Sequence, residues 1–266
     1  MPFAPSAVHF LACSVAMGIA MLVAFEVGRR RGQQKALTDP DGADRGTGAL
    51  EGAVFALFGL LLAFTFSSAI GRFSERRELI TAEANAIGTA YLRLDLLPPA
   101  EAQRLRDAFR RYVEVRLQAH HEGSVDDLSD TLALQQEIWS GVIAAVRDHS
   151  ERSVAIAVMN PVNEMIDLTS ERWMASRAHP PWIIFALLVA LACATAWLAG
   201  HAMGVVQRRH WQHALAFAIS TCCVFYVILE LEFPRAGLIR VDRADSVLQL
   251  LLDQMDPPQP SRGEAP

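Results

Sequence analysis

Arg72, Glu75, Arg76, Arg77 and Glu78 place five charges directly after an uncharged apolar run. On a helix, residues three or four apart share a face, so Arg72 and Glu75 can pair. The preferred reading is a solvated interfacial collar, worth little per pair. The alternative is a ring of arginines, repeated by subunit symmetry, that concentrates anions. Upstream, Thr65, Ser67 and Ser68 are mild polar groups in a segment with no charge. Hydroxyls there often bond only the carbonyl one turn back. Glu83, Asn85, Asn163, Glu164 and Asp167 interrupt otherwise apolar helical patterns. Buried polar groups need partners, which predicts a hydrogen-bond network between helices in preference to ion coordination.

Metal and covalent chemistry find little support. His120 and His121 lie beside Glu122, Asp126 and Asp127, but adjacent histidines diverge on a helix, and a solvated loop-end cluster is expected. Cys13, Cys193, Cys222 and Cys223 all sit in apolar windows without CxxC spacing and read as small hydrophobes. Glu230 and Glu232, near the end of the last apolar window, either face a pore or mark a water boundary, and the boundary reading is preferred because charges are costly deeper in lipid. No GxSxG, HExxH or Walker loop is present. No cofactor, metal or enzymatic activity is expected.

The elements that must position these groups follow from how charge is distributed. Of 266 residues, 52% are hydrophobic and 20% charged, and the mean hydropathy is +0.22, too apolar for one ordinary soluble domain and too charged for a pure membrane bundle. A net charge of −5 supplies no basic field for nucleic acid. The charges avoid four windows, Ala7–Phe25, Ala53–Ile70, Pro181–Val206 and Ala214–Leu229, each roughly matching the ~20 residues that cross a bilayer core. The first is followed by Arg29, Arg30 and Arg31, with no small-residue cleavage site, and is read as a retained anchor. Gly200 and Gly204 form a lone GxxxG, taken as ordinary packing. Arginines flank both sides of the spans almost equally, so the positive-inside rule does not orient the chain.

Between the second and third spans the periodicity is helical. Ile80, Ala84, Ile87, Tyr91 and Leu94 continue the second span until Pro98 and Pro99 stop it. A second helix carries Leu105, Phe109, Tyr112, Val113 and Leu117 on one side. A third follows a capping-box-like Ser124 to Asp127 and carries Leu128, Leu132, Ile138 and Val142. A fourth, from Arg152, is expected to kink or restart at Asn160-Pro161. Beyond the fourth span come an amphipathic membrane-edge segment, a Leu-rich stretch from Val247 to Leu252 and a tail after Pro257 expected to be disordered. The fold class is therefore all-α: four transmembrane helices with an extramembrane helical bundle between the second and third. The divisions are 1–28 for the first span, 29–50 for a loop, 51–72 for the second span, 73–179 for the bundle, 180–232 for the last two spans and 233–266 for the C-terminal segment.

The stretch Leu60 to Leu79 resembles the second transmembrane helix of bestrophins and its continuation. Phe64 matches a phenylalanine of that helix, and Arg72, Glu75, Arg77 and Leu79 fall on the Arg, Glu, Arg and Leu of the Arg-Trp-Trp-Glu-x-Arg-x-Leu pattern, with Phe73 in place of the first Trp. Glu51-Gly52, Phe64 to Ser67, Glu83 to Arg93 and Pro234 to Arg240 resemble the bacterial bestrophin-like family, over most of the chain from Glu51 to Arg240. The resemblance implies a homopentamer of four-span subunits in a bacterial inner membrane, the helical region forming a cytoplasmic vestibule. It implies passive conduction of inorganic ions along the second helices, past an apolar ladder that maps onto Ala56, Leu60 and Phe64, to a mouth with Ser68, Arg72, Glu75 and Arg76. Apolar rings of this kind can gate by dewetting. Below Phe64 the chain departs from the pattern with Thr65, Phe66 and Ser67, so selectivity does not transfer. The acidic calcium clasp of animal bestrophins has no counterpart. The competing reading is a membrane-anchored interaction or sensory protein whose spans only hold it in place.

Overall fold

A computed structural model describes residues 6–38, 48–121, 128–149, 151–206, 211–234 and 242–255, and the described residues are helical, with no strand among them. The order is α1 (Ala7–Thr38), α2 (Gly48–Arg93), a 3₁₀ turn (Leu94–Leu96), α3 (Pro99–His121), α4 (Ser129–His149), α5 (Arg152–Arg177), α6 (Trp182–Val205), α7 (Trp211–Glu232) and α8 (Asp242–Met255). Four stretches are long and apolar enough to cross a membrane, and they coincide with the four windows read from the sequence, the third ending one residue short at Val205. The segment from Ser124 to Asp127, most of the membrane-edge segment after Glu232 and the tail after Pro257 lie outside the described residues.

The chain divides into two compact units. The first comprises Met1–Phe73 and His179–Arg240, and the second Ser74–Ala178 and Val241–Pro266.

In the first unit α1 and α6 lie backbone against backbone. A Cβ added at Gly28 would sit 2.0 Å from the Trp197 carbonyl oxygen, at Gly32 2.1 Å from that of His201, at Gly200 2.0 Å from that of Phe25, and at Gly204 2.2 Å from that of Arg29. Two GxxxG pairs thus face each other, and only glycine permits the approach. The lone GxxxG expected to be ordinary packing is half of a reciprocal contact. Its partner, Gly28 and Gly32, was hidden because it falls across the Arg29 to Arg31 cluster. The pairing of Phe25 with Gly200 and Arg29 with Gly204 shows that α1 and α6 run in the same direction. Around this seam Met17, Met21, Phe25, Leu188, Ala192, Ala196, Ala214, Ala218 and Phe225 form a buried core that also takes in Phe58 of α2.

The second unit buries the predicted stripe of α3, Leu105, Phe109, Tyr112, Val113 and Leu117, against Ile87 and Ala90 of α2, Leu94 of the 3₁₀ turn, Ile138 and Val142 of α4, Val158, Val162 and Met165 of α5 and Leu248 of α8. Leu132, expected on the apolar side of α4, is 56% exposed, and Leu134 takes the inward position. Helix α5 passes through Pro161 without restarting. A proline removes the N–H that would bond the carbonyl four residues back, and Arg93 supplies the missing donor, its Nη1 lying 2.7 Å from the Ala157 carbonyl oxygen. Two other arginines serve helix ends in the same way. Arg76 donates to the carbonyls of Ala175 at 3.0 Å and Ala178 at 2.9 Å, capping α5, and Arg110 donates to Met255 at the end of α8 at 3.1 Å.

Candidate pore helix and its anchors

Within the first unit, α2 has two unlike faces. One packs on α7 through bulk: the rings of Phe55 and Phe58 lie 6.0 and 6.3 Å from that of Phe217, and Ala69 is enclosed with Ile228 and Leu231, flanked by Phe66 and Phe73. Thr65 is buried on this side and its hydroxyl donates back to the Leu61 carbonyl at 2.8 Å, which is the helix-internal bond expected of a hydroxyl in a span. The other face carries Ala56, Leu60, Phe64 and Ser68, all exposed on the protomer. Leu60 is 53% and Phe64 63% exposed, so this face presents large apolar groups outward. Gly52, Gly59 and Gly71 have open space where a Cβ would project.

The exit of α2 is tied down. Arg72 does not take Glu75 as its ion-pair partner; its Nε donates to both carboxylate oxygens of Glu232 at 3.0 and 3.2 Å, and its Nη2 bonds the same group. Glu232, the last residue of α7, is completely buried, and Glu230 is buried too, accepting a 2.6 Å bond from Tyr226. Sequence distance hid the pair, since the two residues are 160 positions apart. His179 lies with its Nδ1 3.8 Å from Glu232 and stacks on Phe233 at 4.6 Å, and Phe233 stacks on Phe10 of α1 at 5.6 Å. One carboxylate and two aromatic stacks therefore join α2 at Arg72, the end of α7, the approach to α6 and the start of α1. Of the predicted mouth residues, Arg72 and Arg76 are engaged with Glu232 and with the carbonyls of α5, while Ser68 and Glu75 are exposed.

In the second unit, Glu83 is the hub of the polar network that the sequence predicted, with partners it did not single out. Arg116 donates at 2.8 and 3.2 Å, Arg172 forms a second buried salt bridge, and the hydroxyls of Tyr112 and Thr169 reach the same carboxylate at 3.4 and 3.3 Å. Gln135 closes the network by donating to Thr169 at 3.0 Å. Helices α2, α3, α4 and α5 each contribute. Burial alone would raise the Glu83 carboxyl, but the guanidiniums of Arg172 and Arg116 outweigh it and hold the group at about 2. Burial and the Glu83 charge push the Tyr112 phenol up to about 12. The available signal was Arg116, which stands four residues after Tyr112 on the apolar face of α3. The other polar residues behave differently: Asn85, Asn163, Glu164 and Asp167 are exposed. Asn163 bonds Asp167 along the helix at 2.7 Å, so these residues form no network between helices among the bonds seen.

Among the described residues no three His, Cys, Asp or Glu side chains gather as a metal site. The side chains of His120 and His121, and residues Glu122, Asp126 and Asp127, lie outside those described. The four cysteines are free thiols.

Fold and anchors define a multi-pass, all-helical membrane protein with a helical bundle inserted after its second span. The profile of the Bestrophin-like domain matches residues 15–246, and the chain belongs to the bestrophin-like family. Its fold is similar to that in a crystal structure of a bacterial bestrophin homologue from Klebsiella pneumoniae carrying a single substitution, with a TM-score of 0.64 at 15% identity, covering 89% of this chain and 97% of the other. No curated protein matched in sequence.

Proposed function

We propose that this chain is one subunit of a homopentameric ion channel of a bacterial inner membrane, with α2 facing a central pathway and the 73–179 region on the cytoplasmic side. Ala56, Leu60 and Phe64 form the constriction, and Ser68 and Glu75 face the mouth that Arg72 and Arg76 hold in place. Conduction is passive diffusion, with no bond chemistry and no cofactor. The observation that carries this reading is the coverage of α2: 17% of its apolar window is buried within the protomer, against 28–39% for the other three spans. A helix tethered at its exit yet so little covered is suited to packing against copies of itself. The family and the fold similarity support the same assignment. Purified protein in planar bilayers should conduct, and Phe64→Ala should increase the current by removing the largest apolar rung. Silence of both proteins across salts and pH, with a native mass in detergent of one or two subunits, would leave only a membrane-anchored helical protein.

A further inference from the structure

We propose that the first unit holds one acyl chain of an anionic phospholipid in a cavity between α1, α2, α6 and α7, with the lipid phosphate at the arginine-rich end of α1. The cavity measures about 80 Å³ and is lined almost entirely by carbon, with Phe25 of α1, Phe55 of α2, Ala196 and Ala199 of α6 and Ala214 and Ala218 of α7 among its walls. The space is left by the alanines that α6 and α7 present there. Its walls cannot close in. The Phe25 carbonyl already abuts Gly200, and the Trp197 carbonyl abuts Gly28, so α1 and α6 stand at their closest approach and the void persists.

What fills the cavity follows from where it opens. Leu22 and Phe217, which also line it, are half-buried and His213 is exposed, so the mouth lies at the outer surface of helices long and apolar enough to cross a bilayer. Water inside would need about two to four polar partners per molecule, which a carbon wall does not supply. The hydrocarbon outside needs none. The charge beside the mouth selects the headgroup. After Phe25 come Glu26, Arg29, Arg30, Arg31 and Lys35, and over residues 26–38 these four cations and one carboxylate give a net charge of +3. Glu26 is shared by Arg29 and Arg30 at 2.7 and 2.8 Å, while Arg31 and Lys35 are exposed. Cation clusters at the end of a span attract anionic lipid headgroups. At the same level Trp211 packs on Phe25 with ring centroids 5.8 Å apart, an indole where spans meet headgroups. A chain seated in the cavity touches Phe55 and Phe217, whose rings pack on each other, and so braces α2 on α7. This holds whether or not α2 lines a pore.

The test uses the full chain, stripped of lipid in detergent and titrated with phosphatidylglycerol or with phosphatidylcholine of the same chains. Phosphatidylglycerol should raise the unfolding midpoint by about 2–4 °C more than phosphatidylcholine, and native mass spectra should show it retained on the subunit. Ala199→Phe, which fills the cavity, should lose the response to both lipids while keeping its lipid-free midpoint; Ala199→Leu serves if the phenylalanine variant does not fold. Arg31→Gln combined with Lys35→Gln should remove most of the difference between the two lipids. Equal wild-type midpoints with and without either lipid, or a full lipid response in a folded cavity-filled variant, overturn the site. An undiminished preference for phosphatidylglycerol in the double variant overturns the headgroup assignment. Planar-bilayer current tests the channel reading separately, and silence there leaves the lipid site standing.

Discussion

Arg93 donates to the carbonyl of Ala157, the group that Pro161, four residues further on, leaves without its helical donor. A residue on one helix thus repairs the ladder of another, and α5 stays continuous. Arg93→Ala should lower stability by about 0.5–1.5 kcal/mol, the net worth of one hydrogen bond. In Pro161→Ala the backbone N–H returns, and Arg93→Ala should then cost measurably less. A thermal double-mutant cycle in detergent checks this coupling, and additivity would show that Arg93 is not the substitute donor.

Glu83 sits between two buried guanidiniums. Glu83→Gln leaves both charges uncompensated and should destabilise the protein by about 3–5 kcal/mol. The pH dependence has a definite sign. The folded carboxyl is held at about 2, below its ordinary 4.5, so its stabilisation is complete above pH 4.5 and lost as pH falls from there toward 2. Helicity against temperature at stepped pH, compared between wild type and the variant, measures it.

Gly200 meets the Phe25 carbonyl and Gly28 that of Trp197 so closely that neither tolerates a Cβ. Gly200→Leu and Gly28→Val should abolish recovery of monodisperse protein, because backbone cannot move aside as a flexible side chain can. Gly59→Ala, into open space, should leave the protomer fold and its melting temperature nearly unchanged. Size-exclusion profiles of the three variants distinguish the two cases.

Arg72 is paired with Glu232 and not with Glu75. Arg72→Gln and Glu232→Gln should be strongly non-additive in stability, whereas Arg72→Gln and Glu75→Gln should add within about 0.5 kcal/mol. If Arg72 were a solvated collar residue, both cycles would be additive.

The fold class was legible in the sequence because span length is enforced by lipid: every backbone polar group must be satisfied within its own helix, so an uncharged window of about 20 residues has few alternatives. The apolar stripe of α3 was legible for a similar reason, since Phe109, Tyr112 and Val113 repeat at helical spacing and all prove buried. The family pattern around Phe64 and Arg72 was also visible. Outside those periodic signals the sequence was silent or misleading, as with Arg72 and its nearest opposite charge, and with Leu132, whose spacing fits the core but whose side chain does not enter it.

What the sequence by itself determined was local: helices, their apolar faces, the number of spans and the need for partners at Glu83. Which partners those were, and which glycines had to be glycine, depended on residues brought together from distant positions. Arg116 and Arg172 meet Glu83, Glu232 meets Arg72, and the two GxxxG pairs meet each other only once the helices are packed. Periodicity encodes which face of a helix turns inward, but the pairing of charges and the close approach of backbones are set by the register between helices, a quantity no single stretch of chain contains.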